Sequence, residues 1–161
     1  MLSGVFRFAC ANGIVCGESY TDIRVPHKGD FLENVIEGAY SVLNNFELVN
    51  TQMASMKALA LNDQEQAAFA RAALTLKYDE EIQPALITET DLLRARRASD
   101  AEHDLWSTFT RVQENMLRGG VHGRSATGKR MTTRPVKGID QNIKLNRALW
   151  TLAEEMKKLR A

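Results

Sequence analysis

The sequence predicts an α+β fold, a small N-terminal antiparallel β-hairpin or sheet joined to a predominantly helical body. Three observations predict it. Apolar residues flank Asn12-Gly13, a dipeptide that accepts the positive φ angles of a tight hairpin turn. From Asp30 the apolar spacing changes to steps of three and four, the period of a helix with one buried face. Helix-starting pairs then recur, Asp30 with Glu33, Asn62 with Glu65 and Thr88 with Asp91.

Val5 to Cys10 and Ile14 to Cys16 read as the two hairpin strands, and Tyr20 to Val25 as a third extended stretch that Pro26 interrupts. So small a sheet needs helices on one face to be stable. Phe31, Val35, Ala39, Val42, Phe46, Val49, Met53 and Met56 mark a first helix of about 45 Å, with Ile36 and Leu43 widening its apolar stripe. Asn62 begins a second, alanine-rich helix able to approach a neighbour closely. Thr88 begins a short one over Leu92 to Arg97. Ser99 with Glu102 suggests the start of another, whose buried side is Leu105, Phe109, Val112 and Met116 and which Gly119-Gly120 ends. Residues 119–138 form a long irregular loop, in which Thr132 to Val136 suits only an edge strand because Pro135 lacks an amide hydrogen. The last helix runs from about Asp140 to Arg160, with a stripe of Ile139, Ile143, Leu145, Leu149, Leu152, Met156 and Leu159. The expectation is one domain over 1–161, divided into a β region (1–29), a helical body (30–118), a basic loop (119–138) and a C-terminal helix (139–161).

At 161 residues, 44% hydrophobic and 25% charged, the chain is suited to a packed core and is a poor candidate for wholesale disorder. No apolar run approaches the roughly 20 residues that span a bilayer, and the N-terminus lacks the layout of a signal peptide. Two cysteines make no disulfide framework. A reducing, cytoplasmic setting without membrane partners is therefore expected.

The net charge of +1 conceals a strong polarity. From Arg118 to Arg147 there are eight basic residues against Asp140 alone, a local charge of +7, which leaves −6 for the remainder. Such asymmetry favours an anionic partner. Within this segment Gly123 to Arg130 imitates a nucleotide-binding loop, but Arg130 stands where a magnesium-ligating hydroxyl belongs. A loop of that kind must also follow a buried strand and open a helix. Phosphate backbones make looser demands, asking for cations and hydrogen-bond donors at flexible spacing. Arg124, Lys129, Arg130, Arg134, Lys137, Lys144 and Arg147 are accordingly the candidate nucleic-acid-binding residues, with His122 adding a ring.

Other chemistry is weaker. Cys10, Cys16 and His27 lack the ligand number and spacing of a zinc site, and the two sulfurs suit small buried hydrophobes. No serine or cysteine pairs recognisably with a histidine, so no catalytic residues, metal or cofactor are assigned. Trp106 and Trp150 adjoin apolar stripes and suit packing. Asn142 and Asn146 share a helix face and suit a joint between the last helix and the hairpin.

Three stretches together resemble a known family: Arg7 to Gly17 (RFACANGIVCG), Ile23 to Gly29 (IRVPHKG) and Thr133 to Trp150 (TRPVKGIDQNIKLNRALW). They resemble the phage- and plasmid-associated family called domain of unknown function 932, over the later part of that family's usual length. The resemblance implies carriage on mobile elements and a bacterial cytoplasm, and it supplies no reaction.

The expected function is thus a non-enzymatic, mobile-element-encoded protein that grips nucleic-acid backbone through a basic loop, largely without reading sequence. The alternative is a protein-interaction or oligomerisation module. There the spacing of Leu145, Leu149, Leu152, Met156 and Leu159, with the long first stripe, would join copies or seat a host protein.

Overall fold

A computed structural model describes the backbone of residues 2–9, 15–25, 31–78 and 87–160, with side chains for Ile36, Glu37, Tyr40, 47–78 and 87–160. Five helices dominate the described residues: α1 (Phe31–Lys57), α2 (Asp63–Lys77), α3 (Glu89–Leu92), α4 (Leu105–Arg118) and α5 (Ile139–Arg160). The strands β1 (Leu2–Ala9) and β2 (Val15–Val25) precede them. The short pair β3 (His122–Arg124) and β4 (Arg130–Thr132) lies between α4 and α5.

Helix α4 is the centre of the body, bordered by α1, α2, α3 and α5. Leu105, Phe109, Val112 and Met116, the predicted stripe, are at most 1% exposed. Its start differs from the expectation. Asp104, not Ser99, caps it, its carboxylate accepting from the Ser107 amide at 2.9 Å, while residues 98–100 form a 3-10 turn. A carboxylate at the cap satisfies an otherwise orphaned amide and suits the positive end of the helix dipole.

Helix α2 begins as predicted. The Glu65 amide donates to Asn62 Oδ1 at 2.9 Å, and the Asn62 amide donates to Glu65 Oε2 at 2.8 Å. Its buried face is Gln66, Phe69, Ala70 and Ala73, at helical spacing. The small alanines let the backbones of α2 and α5 approach. The starts of α2 and α4 are also tied together, the Leu61 amide donating to the His103 carbonyl and the Leu105 amide to the Leu59 carbonyl, each at 2.8 Å. Below that crossing, Arg111 Nη2 donates to Gln66 Oε1 at 2.9 Å, and Gln66 Nε2 lies 2.9 Å from His103 Nδ1.

Helix α5 buries Leu145, Asn146, Leu149, Trp150 and Ala153. Trp150 packs 5.1 Å from the Phe109 ring and 6.2 Å from Trp106, an aromatic cluster between α4 and α5. A buried aromatic pair of this kind is worth about 0.5–1.5 kcal/mol beyond the area it buries. The predicted α5 stripe is thus buried at its centre, whereas Ile139 and Leu159 at its ends are 60% and 82% exposed.

The predicted fold class is corrected. The protein is mostly helical rather than α+β. The strand pair built into the helical body is the hairpin β3–β4, in the C-terminal half, inside what the sequence presented as an irregular loop. The N-terminal strands form one antiparallel pair, β1 with β2, which borders α1 and α5, and the expected second and third strands are one continuous β2. Alternation at the N-terminus is local, so it could not reveal how many strands would assemble. The core instead closes through helix packing, where α4 has helices on several sides. The Cys10 and Asn12-Gly13 turn, Pro26, His27, the Asp30 cap and the acidic run from Asp79 to Glu81 lie outside the described residues.

Candidate nucleic-acid interface

The hairpin arises where α4 ends. Gly119 and Gly120 take φ values of +66° and +75°, which turn the chain back over the helix. At Gly119 space demands glycine as well, since a Cβ there would lie 2.6 Å from the Arg134 carbonyl carbon. The outgoing strand is then laced to the incoming one. The Gly120 amide donates to the Thr133 carbonyl at 2.8 Å, the Thr133 amide to the Val121 carbonyl at 2.9 Å, and the Val136 amide to the Leu117 carbonyl at 2.9 Å. Pro135 falls between those donors, so its missing amide hydrogen removes no bond from this ladder.

Within the hairpin, His122 pairs with Thr132, Gly123 with Met131 and Arg124 with Arg130. Directly paired residues project from the same face, with their Cβ atoms about 5 Å apart. Arg124 and Arg130 therefore stand side by side. The turn joins them through Gly128 at φ +80° and a bond from the Ser125 amide to the Lys129 carbonyl at 2.9 Å. The stretch that imitates a nucleotide-binding loop is a hairpin turn, and no helix opens from it.

Lys77, at the end of α2, secures this assembly. Its ammonium donates to the Met116 carbonyl at 3.0 Å and to the Arg134 carbonyl at 3.3 Å, linking α2, the last turn of α4 and the segment after β4. Burial pushes its pKa below the usual lysine value. On the other side Arg96 donates to Asn115 Oδ1 and to the Gly119 carbonyl. The hairpin's base is held from two directions while its tip projects.

All seven predicted binding residues are exposed. Across the rest of the described surface, basic side chains commonly have carboxylate partners: Arg71 with Glu89, Arg97 with Asp100 and Glu114, Arg118 with Glu114, Lys158 with Glu155 and Arg160 with Glu65. Among the described residues, no carboxylate comes within ion-pair distance of Arg124, Lys129, Arg130, Arg134, Lys137 or Lys144. Arg147 is engaged within the chain.

The predicted set divides in space. Arg124, Lys129 and Arg130 share the hairpin, and Arg134 and Lys137 follow on the segment leading to α5. Lys144 borders a different groove, with Leu76, Lys77 and Leu145. Arg94 was missed. It lies in Leu92 to Arg97, which the sequence suggests is helical, but α3 ends at Leu92 and leaves Arg94 exposed beside Asp91 and His122. The run of arginines at 94, 96 and 97 was the available signal. Among the described residues, no group of three or more histidine, cysteine or acidic side chains is placed to hold a metal, and no helix is long and apolar enough to cross a membrane.

Comparison with known proteins places the chain in a family. The model of a domain of unknown function (DUF932) matches residues 1–150. Two proteins of Escherichia coli strain K12, UPF0380 protein YfjQ and UPF0380 protein YafZ, are each 51% identical over 156 residues, which is 97% of this chain. The chain spans 56% of the length of each. No solved structure matches. With the family match extending from the first residue through Trp150, and so across both the hairpin and most of α5, the chain belongs to the DUF932 family.

Proposed function

We propose that this chain is a non-enzymatic, phage- or plasmid-encoded protein that binds nucleic-acid backbone through the β3–β4 hairpin and the basic segment after it. One observation carries the reading: the exposed cations concentrated there have no carboxylate partners among the described residues, while basic side chains elsewhere commonly do. An unpaired surface cation keeps its full attraction for a polyanion, whereas a paired one must first give up its carboxylate. Phosphate contacts position a protein without reading sequence, so binding should tolerate any base composition. The mobile-element origin rests on the family resemblance.

The test is fluorescence anisotropy with labelled single- and double-stranded DNA and RNA across a salt series. Binding should weaken steeply with salt, and replacing Arg124, Lys129 and Arg130 together by alanine should abolish it. Absence of binding to all four nucleic acids would overturn the reading.

A second reading is protein interaction, which exposed apolar groups on α1 favour: Ile36, Tyr40 and Leu48 are 48%, 64% and 58% exposed. The central leucines of α5 are committed to the core, which withdraws that helix from the role. Light scattering separates the readings, since a self-associating module changes mass with concentration and the triple hairpin variant should not alter it.

A further inference from the structure

The hairpin borders an open cleft of about 820 Å³, with His122, Arg124 and Arg130 on one side and Ile87, Thr88 and Asp91 on the other. A smaller hollow of about 220 Å³ adjoins it, sharing Asp91 and His122 and bordered further on by Arg94 and Val121. Together they form one groove. Arg124 and Arg130 line the larger hollow and Arg94 the smaller, while Asp91 and His122 line both and so mark where the two meet. Arg94, like the hairpin arginines, has no carboxylate within ion-pair distance among the described residues.

The place where the two hollows meet decides what fits. Asp91 is a fixed carboxylate, its Oδ2 accepting from the Thr88 amide at 2.9 Å and the Thr88 hydroxyl at 3.0 Å. A continuous line of phosphates would be repelled there. A base would not be: its amino group can donate to a carboxylate, and its ring can lie against the exposed imidazole of His122. Only an unpaired strand can turn a base into the groove while its phosphates reach the cations of both hollows. A duplex keeps its bases stacked inside and would offer Asp91 phosphates alone.

We propose that this groove is a binding site for single-stranded nucleic acid, with phosphates on Arg124 and Arg130 in the larger hollow and on Arg94 in the smaller, and a base at His122 and Asp91. The inference rests on the nucleic-acid reading above and adds strand type and three binding residues beyond the basic loop's cations, Arg94, His122 and Asp91.

The test measures anisotropy of a labelled single-stranded oligonucleotide and of its matched duplex, with the wild-type chain and the variants Arg94→Ala, His122→Ala and Lys158→Ala. Melting temperatures close to wild type certify that each variant is folded. The expected result is single-strand binding at least about tenfold tighter than duplex binding, lost largely in Arg94→Ala and in His122→Ala and unchanged in Lys158→Ala. Equal affinity for strand and duplex would overturn the inference. So would Arg94→Ala and His122→Ala variants that bind as wild type while loss of Arg124 and Arg130 still weakens binding, and that outcome would leave the backbone-binding reading standing. No binding by the wild-type chain to strand or duplex would overturn both.

Discussion

Gly119 and Arg134 meet backbone to backbone: a side chain at position 119 would begin 2.6 Å from the Arg134 carbonyl carbon and 2.8 Å from its oxygen. That approach fixes where the hairpin leaves the helical body. Gly119→Ala meets both this clash and the +66° φ, so it should destabilise the protein by about 2–4 kcal/mol. Gly120 has a similar φ of +75° but open space around its Cβ position, so Gly120→Ala should cost only about 1–2 kcal/mol. Urea denaturation of the two variants checks the difference, with unchanged m-values showing that stability alone has moved.

The hairpin cations should affect binding without affecting stability. Each phosphate contact removed reduces the salt slope for a single strand by about 0.7. Arg124→Ala with Arg130→Ala should therefore flatten the plot of log affinity against log salt by about 1.4, from two such contacts. Because both residues are exposed and unpaired among described residues, unfolding should shift by no more than about 0.5 kcal/mol. A large loss of stability would mean that the arginines hold the hairpin together.

The joint between α2 and α4 should respond in the opposite way. Arg111 donates to the Asp100 and Glu102 carbonyls and to Gln66 Oε1, and burial lowers its pKa. Removing it with Arg111→Ala leaves the buried Gln66 Oε1 without its donor and should cost about 2–4 kcal/mol. Nucleic-acid affinity, measured well below the melting temperature, should stay near wild type.

Alkaline titration separates two neighbours of opposite sign. The folded state lowers the pKa of Lys77 below 10.5, so just below that value the unfolded chain holds a proton that the folded one has released. Stability contributed by this group rises with pH across that window. Tyr78, by contrast, is raised above 10.0 by burial, so the unfolded chain loses its proton first and stability falls as pH climbs past that value. Lys77→Met should remove the rise and Tyr78→Phe the fall, as read from unfolding midpoints between about pH 8 and 11.

Helix starts with reciprocal side-chain bonds were legible because four consecutive residues contain the whole motif, as at Asn62 to Glu65 and Thr88 to Asp91. The α4 stripe was legible for the same local reason. The true α4 cap was obscured because Ser99-to-Glu102 spelled a box upstream, and only the bonds from Leu61 and Leu105 across to their partners put the helix start at Asp104. The body hairpin was hidden by composition. Its strands are three residues each, too short for alternation to show, although a five-residue link containing Gly128 was a usable cue. The candidate cations were visible as charge, but their lack of carboxylate partners among the described residues was not, because ion pairing depends on which carboxylates the fold brings near. Arg94 joined the groove through tertiary structure alone.

The ladder formed by Gly120, Thr133 and Val136 has a kinetic consequence. These three amides close the seam between the hairpin and the last turn of α4, and any ligand that pulls or steadies the hairpin acts on that seam. Their hydrogen–deuterium exchange rates are therefore a label-free gauge of occupancy at a surface several residues away. Slower exchange there, with amides in α2 unchanged, would show the hairpin's load arriving at the helical body.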